Sequence, residues 1–449
     1  MTDYSPLSRR HLLRGAVIGG FVGIAGCSGN TQDDTSGEEP ESSPAATSDG
    51  EPDSSTAEES DNRGQASAGS WPQFQSDSRN SGLTDAKELV PPVEERWRFG
   101  ARPEFVNADD STAGDFAIKA QPVVVDDTLL IGANKAEVYD PDEGREVTVP
   151  PRLYAIDSES GTERWSVELE AEIGGASVAV ANETVFVSTG DPDGGVTALA
   201  LSDGSEQWRK PFPSPVGPAP VTGGSPVVHD GRLYTSYEGV IALDIMSGDE
   251  VWQFEVTRNA QSHLAVGDGH VFCMDNVEGV FYAVDIADGT ESWRFETDEY
   301  ARSSPVVRNG TVIMGDGQEV RALDTTDGTE RWRFEDGMQG APAADGERFY
   351  IQRLGTAAVS ALDPETGDEQ WTYESGAGAQ ALAITDETLY LTGEFTDGLQ
   401  AVNTSDGTER WSFSLREASD AGVFSPPAIG TDTVYFGDQH GTVHAISGQ

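Results

Sequence analysis

Cysteine and histidine are both scarce in this chain of 449 residues, which has two cysteines, Cys27 and Cys273, and six histidines. No zinc-ligand spacing is present. His440 and His444 lie four positions apart, but the turn and strand pattern around them does not indicate a metal site. Cys273 stands in an apolar strand-like run, where a single cysteine is expected to be a small buried hydrophobe. The sequence therefore predicts no metal site.

Basic residues are also few, with 28 Lys and Arg against 78 Asp and Glu and a formal net charge of −50. Only Lys87, Lys119, Lys135 and Lys210 are lysines. The sequence has no basic patch or stripe, which excludes nucleic-acid binding through phosphates. An acidic, lysine-poor composition resembles that of proteins from salt-loving archaea, where high ionic strength screens self-repulsion.

Long hydrophobic runs are missing as well, because the apolar run at residues 16–25 is too short to span a bilayer. Residues 8–14, SRRHLLR, resemble a twin-arginine export signal, and residues 24–27, IAGC, resemble a lipobox. We therefore expect residues 1–26 to be a signal peptide and Cys27 to carry a lipid. This predicts export by the twin-arginine route to the extracellular face of the cytoplasmic membrane, and it leaves no pair for an intramolecular disulfide.

Residues 27–70 contain Ser, Thr, Gly, Pro, Asp and Glu with almost nothing apolar. Such a segment cannot bury enough surface to offset its conformational entropy. It is predicted to be a disordered acidic tether between the anchor and the folded domain at residues 71–449.

Tryptophan, by contrast, is abundant, and eight of the nine copies belong to one recurring phrase. The phrase reads Ala-x-Asp-x-x-x-Gly-x-x-x-Trp, with small departures in single copies. Trp97 lacks the Ala half before it, and the chain ends on VHAISGQ, an Ala half without a Trp. The eight tryptophans are Trp97, Trp165, Trp208, Trp252, Trp293, Trp332, Trp371 and Trp411.

A repeat of about 40 residues made of four short strands, a to d, is typical of a β-propeller. The two incomplete phrases complete each other if strands a to c at residues 425–447 pair with strand d at residues 95–99. The predicted fold class is therefore all-β, an eight-bladed propeller of four-stranded antiparallel blades. Its N-terminal strand closes the last blade, which removes the exposed edges of the ring.

The phrase itself is assigned to the scaffold, because eight equivalent copies cannot all be one active site. Its Asp and Gly fall in the c–d hairpin, where glycine supplies the positive φ that tight turns need. Its Trp lies on the outer strand, where it can cover the gap between blades. Trp71 lies outside the count and is expected to pack the entering chain against the ring.

The phrase resembles the tryptophan-docking motif of the pyrroloquinoline-quinone (PQQ) repeat family of eight-bladed propellers, and residues 71–82, WPQFQSDSRNSG, resemble the opening segment of many such proteins. The resemblance covers residues 71–449. This family includes quinoprotein dehydrogenases and the lipoprotein subunit of the outer-membrane β-barrel assembly machine. The resemblance therefore implies the fold strongly and an activity only weakly.

Three long connections break the repeat and are predicted to crowd one face of the first three blades. They lie at residues 100–120, 134–152 and 210–224, and they join strands d to a or b to c. Long loops on a rigid scaffold commonly carry function. The residues that enter strand a at the channel mouth of this face are the predicted ligand-binding residues: Lys119, Gln121, His263, Arg302, Gln339 and Gln380.

Lys119 and Arg302 are the candidates for an anionic ligand group, because basic residues are rare in this chain. Each of the six residues has the alternative of being only a solvated loop residue or part of a surface ion pair. No catalytic residue is predicted, since no calcium-ligand and catalytic-Asp set can be transferred from the quinoprotein enzymes.

Two function classes remain open at this point. The favoured one is a lipid-anchored, monomeric binding or scaffolding propeller that contacts a protein or cell-surface polymer, without a cofactor. A small-molecule sensor is a variant of this class. The alternative is a quinoprotein dehydrogenase with PQQ and calcium in the channel. The sequence favours the scaffold, because the adjacent-cysteine pair of many quinoprotein enzymes is absent.

Overall fold

A computed structural model describes most of the chain from residue 70 onward. The residues described are 70–101, 118–140, 144–173, 177–190, 194–212, 224–256, 263–275, 278–297, 303–376, 379–393, 398–415, 422–423 and 425–448. They belong to one compact unit. The predicted signal peptide, Cys27 and the tether lie outside the described residues.

Strands, turns and bends make up the described part of the chain. The first half of the strands, in chain order, is β1 (Glu94–Gly100), β2 (Val123–Val125), β3 (Thr128–Ala133), β4 (Ala136–Asp140), β5 (Arg145–Val149), β6 (Arg152–Asp157), β7 (Glu163–Glu168), β8 (Ala179–Ala181), β9 (Thr184–Thr189), β10 (Gly195–Ala200), β11 (Glu206–Pro211), β12 (Val227–His229), β13 (Arg232–Ser236), β14 (Gly239–Asp244), β15 (Glu250–Glu255), β16 (Ala265–Gly267) and β17 (His270–Asp275).

The second half also consists of short strands. It is β18 (Val280–Asp285), β19 (Glu291–Glu296), β20 (Val306–Arg308), β21 (Thr311–Gly315), β22 (Val320–Asp324), β23 (Glu330–Phe334), β24 (Met338–Ala344), β25 (Phe349–Arg353), β26 (Ala358–Leu362), β27 (Glu369–Glu374), β28 (Ala379–Ile384), β29 (Thr388–Gly393), β30 (Gly398–Asn403), β31 (Glu409–Ser414), β32 (Ala428–Ile429), β33 (Thr433–Gly437) and β34 (Thr442–Ser447).

These strands form eight four-stranded antiparallel blades, and β4 pairs with β5 as a separate hairpin of blade 1. Blades 1 to 7 begin at β2, β8, β12, β16, β20, β24 and β28, and blade 8 consists of β32, β33, β34 and β1. A single parallel bridge, Ala341 with Ala381, joins the inner strands of blades 6 and 7. Inner strands are mostly buried, whereas outer strands are largely exposed or half-buried, with a buried tryptophan in blades 3 to 7. The predicted fold class is confirmed.

The ring closes between the two ends of the folded domain. The outer strand β1 pairs antiparallel with β34, and Trp97 lies opposite Ala445. The two incomplete phrases of the sequence therefore form one complete blade, as the sequence predicts. In this arrangement the first and last strands share a sheet. Removal of either end of the domain would therefore open the ring.

Seven of the eight tryptophans of the phrase dock onto the c–d hairpin of the next blade. In each pair the indole Nε1 donates to a backbone carbonyl of that hairpin at 2.8–3.2 Å, and the ring covers its phrase glycine. In blade 5, Gly328 has φ 72° and its added Cβ would lie 2.6 Å from the Trp293 ring. Only glycine allows both this conformation and this contact. The pairs are Trp97 with Ser158, Trp165 with Leu201, Trp208 with Ile245, Trp252 with Ile286, Trp293 with Thr325, Trp332 with Pro364 and Trp371 with Thr404.

The eighth tryptophan needs a different acceptor, because the c and d strands of blade 8 come from opposite ends of the chain and have no hairpin between them. Trp411 Nε1 donates to Leu89 O at 3.2 Å, just before β1 begins. Glu88 fixes this position, since its carboxylate accepts hydrogen bonds from Thr385, Thr388 and Arg410. The chain before β1 thus replaces the missing hairpin.

A buried ionisable cluster lies on the closing seam. The ring of His444 on β34 is 2.7 Å from Glu95 Oε1 on β1 and 3.2 Å from Asp438 Oδ2. Burial acts to lower the pKa of His444, but the two carboxylates outweigh burial and raise it. The hydrogen bond from His444 lowers the pKa of Glu95, and Arg98 adds to this effect from 3.5 Å. Both shifts favour a charged pair.

We expect the closing seam to be most stable between about pH 4.5 and 6.5, the unperturbed pKa values of the two groups. Because the pKa of His444 is raised, its contribution is lost as pH rises through the folded value. Because the pKa of Glu95 is lowered, its contribution is lost as pH falls through its own folded value. Urea unfolding of the wild type and of His444→Gln at pH values below, within and above this range measures the difference, which we expect to be largest within the range. A difference that does not change with pH would contradict the ionic seam.

Candidate functional site

The central channel contains a segment of the chain itself, residues 71–84, which we call the strap. It contacts the innermost strands of blades 1 to 7 in order. One inner-strand amide of each blade donates to a strap oxygen at 2.5–3.0 Å. The amides and their acceptors are Val124 with Trp71 O, Val180 with Pro72 O, Val228 with Gln73 Oε1, Val266 with Ser78 O, Val307 with Arg79 O, Ala344 with Ser81 O and Ile384 with Gly82 O.

These amides point away from their own sheets. An innermost strand pairs on one side only, so its other edge presents backbone donors to the channel. A buried donor without an acceptor is costly, and nearly all such groups in proteins are paired. The strap supplies these acceptors for seven blades. It therefore fixes the blades to one another from the inside, as the tryptophans do from the outside.

Side chains of the strap reach across the channel. Asn80 Nδ2 donates to Leu264 O and to Pro305 O, both at 2.9 Å, and so bridges blades 4 and 5. Gln75 Nε2 donates to Pro342 O of blade 6 at 3.0 Å. Both side chains are completely buried, as is Trp71. The sequence-based expectation that Trp71 packs the entering chain against the ring agrees with this position.

Two of the predicted ligand-binding residues meet the strap. Gln121 is buried. Its Oε1 accepts a hydrogen bond from the backbone N–H of Gln75 at 2.8 Å, and its Nε2 donates to Pro427 O at 2.7 Å. The ring of His263 stacks on Phe74 with a centroid distance of 3.9 Å. Burial lowers the pKa of His263 to about 4, so the ring is neutral at neutral pH.

Of the other four predicted residues, the structure describes the side chains of two. Lys119 is exposed, and Gln339 is half-buried in β24 opposite Gln352. Arg302 lies outside the described residues, and so does the side chain of Gln380. A ligand role for all six residues stays a prediction.

A line of hydrogen bonds across blades 1 to 4 was missed by the sequence reasoning. Ser177 Oγ donates to Gln121 O at 2.9 Å, and the Ser177 amide donates to Ser225 Oγ at 2.8 Å. The Ser225 amide in turn donates to His263 Nδ1 at 3.2 Å. Each of these residues stands three positions before the inner-strand residue that binds the strap. A polar residue recurring at this position is the signal that could have revealed them.

A cavity of about 750 Å³ opens between the strap and blades 1 to 3. Its walls include the a–b turns at Asp126, Glu183 and Asp230, and its floor includes Pro72 and Leu83 of the strap. Because strands alternate in direction, a–b turns lie on the face opposite the d–a and b–c connections. The cavity therefore lies on the face opposite the predicted long loops. Within the described ranges no group of His, Cys, Asp and Glu is suited to hold a metal ion.

The predicted long-loop face is described in part. Residues 102–117 and 213–223 lie outside the described residues. The b–c connection of blade 1 forms the β4–β5 hairpin, in which Val138 is buried and Tyr139 is 52% exposed. On the opposite face, Met246 in the c–d hairpin of blade 3 is 73% exposed. Among the described residues, each face thus has an exposed apolar side chain, Tyr139 on one and Met246 on the other.

A closed ring of eight blades docked by tryptophan defines the class of this protein, a PQQ-repeat β-propeller. The chain belongs to the family described as outer membrane protein assembly factor BamB, whose model matches residues 94–215, 192–335 and 316–449. These matches together span all eight blades. The searched residues contain no helix with the length and apolarity needed to cross a membrane.

Known proteins similar to this chain include a BamB protein, an alcohol dehydrogenase and a protein kinase. BamB from Moraxella catarrhalis is 14% identical with a TM-score of 0.57, over 79% of this chain and 97% of that one. Quinohemoprotein alcohol dehydrogenase from Comamonas testosteroni is 13% identical with a TM-score of 0.60, over 85% and 81%. At these identities the likeness shows the fold alone. Serine/threonine-protein kinase AfsK of Streptomyces coelicolor is 30% identical over 107 residues, which cover 24% of this chain and only 13% of the kinase.

Proposed function

We propose that this protein is an exported, membrane-tethered scaffold that binds another protein through the outer surface of its propeller. Membership of a family described by an outer membrane assembly factor supports a role in protein binding. The observation that carries the proposal is the strap. While the strap is bound to the inner edges of seven blades, the surfaces left for a partner are the two faces and the rim.

The long-loop face is the proposed contact surface, and the exposed residues Tyr139 and Met246 provide a matched test. A photo-crosslinking amino acid is placed at Tyr139, on that face, or at Met246, on the opposite face, in the full-length protein in its own cells. We expect a discrete crosslinked protein from position 139 and none from position 246. The reverse pattern would move the contact to the strap-cavity face, and no adduct at either position would contradict the scaffold.

The quinoprotein alternative requires room for PQQ in the channel. The strap occupies this space, with Phe74 stacked on His263 and with Gln75 completely buried between blades 1 and 6. The residues present therefore do not fit a quinone there while the strap is bound. Incubation of the protein with PQQ and calcium, followed by gel filtration, tests this directly. Quinone absorbance that stays with the protein, together with alcohol-dependent dye reduction, would overturn the scaffold proposal.

The tether and its anchor are the remaining part of the proposal. The lipobox-like sequence before Cys27 and the twin-arginine pattern before it support export and lipid attachment. Mass spectrometry of the mature N-terminus measures both. We expect a chain that begins at a lipid-modified Cys27, and an unmodified Cys27 or cleavage elsewhere would contradict the anchor.

A further inference from the structure

We propose that the inner edges of the blades form a binding site for an extended polypeptide segment, and that the strap occupies this site as an exchangeable internal ligand. This inference rests on the proposed protein-binding function. It adds which kind of segment a partner would insert into the ring. The partner is an extended segment that offers backbone carbonyls to the blades, as residues 71–84 do.

Recognition of the strap is mainly recognition of a backbone. Six of its seven acceptors for the inner-strand amides are main-chain oxygens, and the seventh is Gln73 Oε1. Main-chain pairing with a sheet edge is a general way to bind an extended peptide, with side-chain pockets giving specificity. Here the side chains that enter the ring are Trp71, Phe74, Gln75 and Asn80.

The fit of the strap is imperfect, although it is deeply buried. Gln75, Ser76 and Asn80 have φ values of 54°, 70° and 58°, a left-handed conformation that residues other than glycine adopt at a cost of about 1 kcal/mol or more each. Three buried polar atoms of the strap, Trp71 Nε1, Gln75 Oε1 and Asn80 Oδ1, find no hydrogen-bond partner among the described residues. Such groups weaken the bound state, so a segment without these strains can compete for the site.

The hydrogen bonds that hold Trp411 and blade 7 lie after the strap, at Glu88 and Leu89. Trp71 packs in the same buried cluster as Leu89 and Trp411, so exchange of the strap requires Trp71 to leave this cluster. Asp85, between the strap and these residues, is exposed. A cut beside Asp85 therefore frees the strap from the chain and keeps the hydrogen bonds of Glu88 and Leu89.

A protease site inserted between Asp85 and Ala86 of the full-length protein tests the proposal. The protein is folded, cut, and mixed with an excess of a fluorescent peptide of residues 70–85. We expect the labelled peptide to enter the ring as the cut fragment leaves, with the near-ultraviolet circular dichroism of the docked tryptophans unchanged. The same peptide with Asn80→Asp is the control, and we expect it to bind at least ~100-fold more weakly, because a carboxylate would face two carbonyls.

Two results would overturn the inference. One is retention of the cut fragment without uptake of labelled peptide at any excess, which makes the strap a permanent structural part. The other is loss of the tryptophan circular dichroism when the fragment leaves, which makes the strap part of the folding core. Neither result bears on the crosslinks from Tyr139 in the uncut protein, so failure of this inference is distinguishable from failure of the proposed function.

Discussion

Replacement of Asn80 by aspartate is expected to lower the free energy of unfolding by about 3–5 kcal/mol at neutral pH. The asparagine amide donates to Leu264 O and Pro305 O on two neighbouring blades, and its side chain is completely buried. A carboxylate of the same shape would place a buried, uncompensated charge against two carbonyl oxygens. Asparagine and aspartate both tolerate the left-handed backbone found here, so the change isolates the side chain. Urea unfolding followed by tryptophan fluorescence measures the loss.

The matched control is Asp249→Asn, which makes the opposite chemical change at an exposed position in the c–d hairpin of blade 3. We expect it to change the free energy of unfolding by less than about 0.5 kcal/mol. Part of the Asn80→Asp loss should be regained at acid pH, because a protonated carboxyl can donate to one carbonyl again. Equal stabilities for the two variants would show that Asn80 does not bridge blades 4 and 5.

Gly328→Ala is expected to destabilise the ring by about 2–4 kcal/mol. The left-handed backbone, φ 72°, costs an alanine about 1 kcal/mol, and the new methyl would lie 2.6 Å from the Trp293 ring. The docked indole would have to move, and its hydrogen bond to Thr325 O at 2.9 Å would be strained or lost. Thermal unfolding and the near-ultraviolet circular dichroism of tryptophan together measure the stability and the docking.

Gly231→Ala separates the backbone cost from the tryptophan contact. Gly231 has φ 73°, and nothing lies within 4 Å of an added Cβ. Its replacement should cost only about 1 kcal/mol and leave the tryptophan signal unchanged. If the two variants lose the same stability, the glycine of the phrase serves only its own turn and not the docking of the neighbouring blade.

The repeat allowed the fold to be predicted because its physical requirements recur at fixed spacing. A glycine must adopt a positive φ under an indole, and an alanine must lie opposite that indole, as Ala322 lies opposite Trp332. These demands select residue types, so they are visible in a single sequence. The closing of the ring followed from the incomplete phrases at Trp97 and Ala445.

The strap could not be predicted in the same way. Most of its hydrogen bonds to the blades use main-chain oxygens, which every residue has. Most strap positions therefore do not require a particular residue type, and the sequence does not reveal their role. Only the resemblance of residues 71–82 to an opening segment and the surplus Trp71 pointed to packing there. Gln121 and His263 contact the strap, but their partners Gln75 and Phe74 lie 46 and 189 positions away in sequence.

Backbone amide exchange at Val180, Val266 and Val307 tests the central claim, that the strap binds the inner strands of the channel, most directly. The acceptors of these three amides are the strap carbonyls of Pro72, Ser78 and Arg79, so their protection depends on the strap alone. We expect them to exchange as slowly as the paired amides of the same blades in the intact protein. Exchange at the rate of exposed amides would mean that the channel is open, and it would contradict the account.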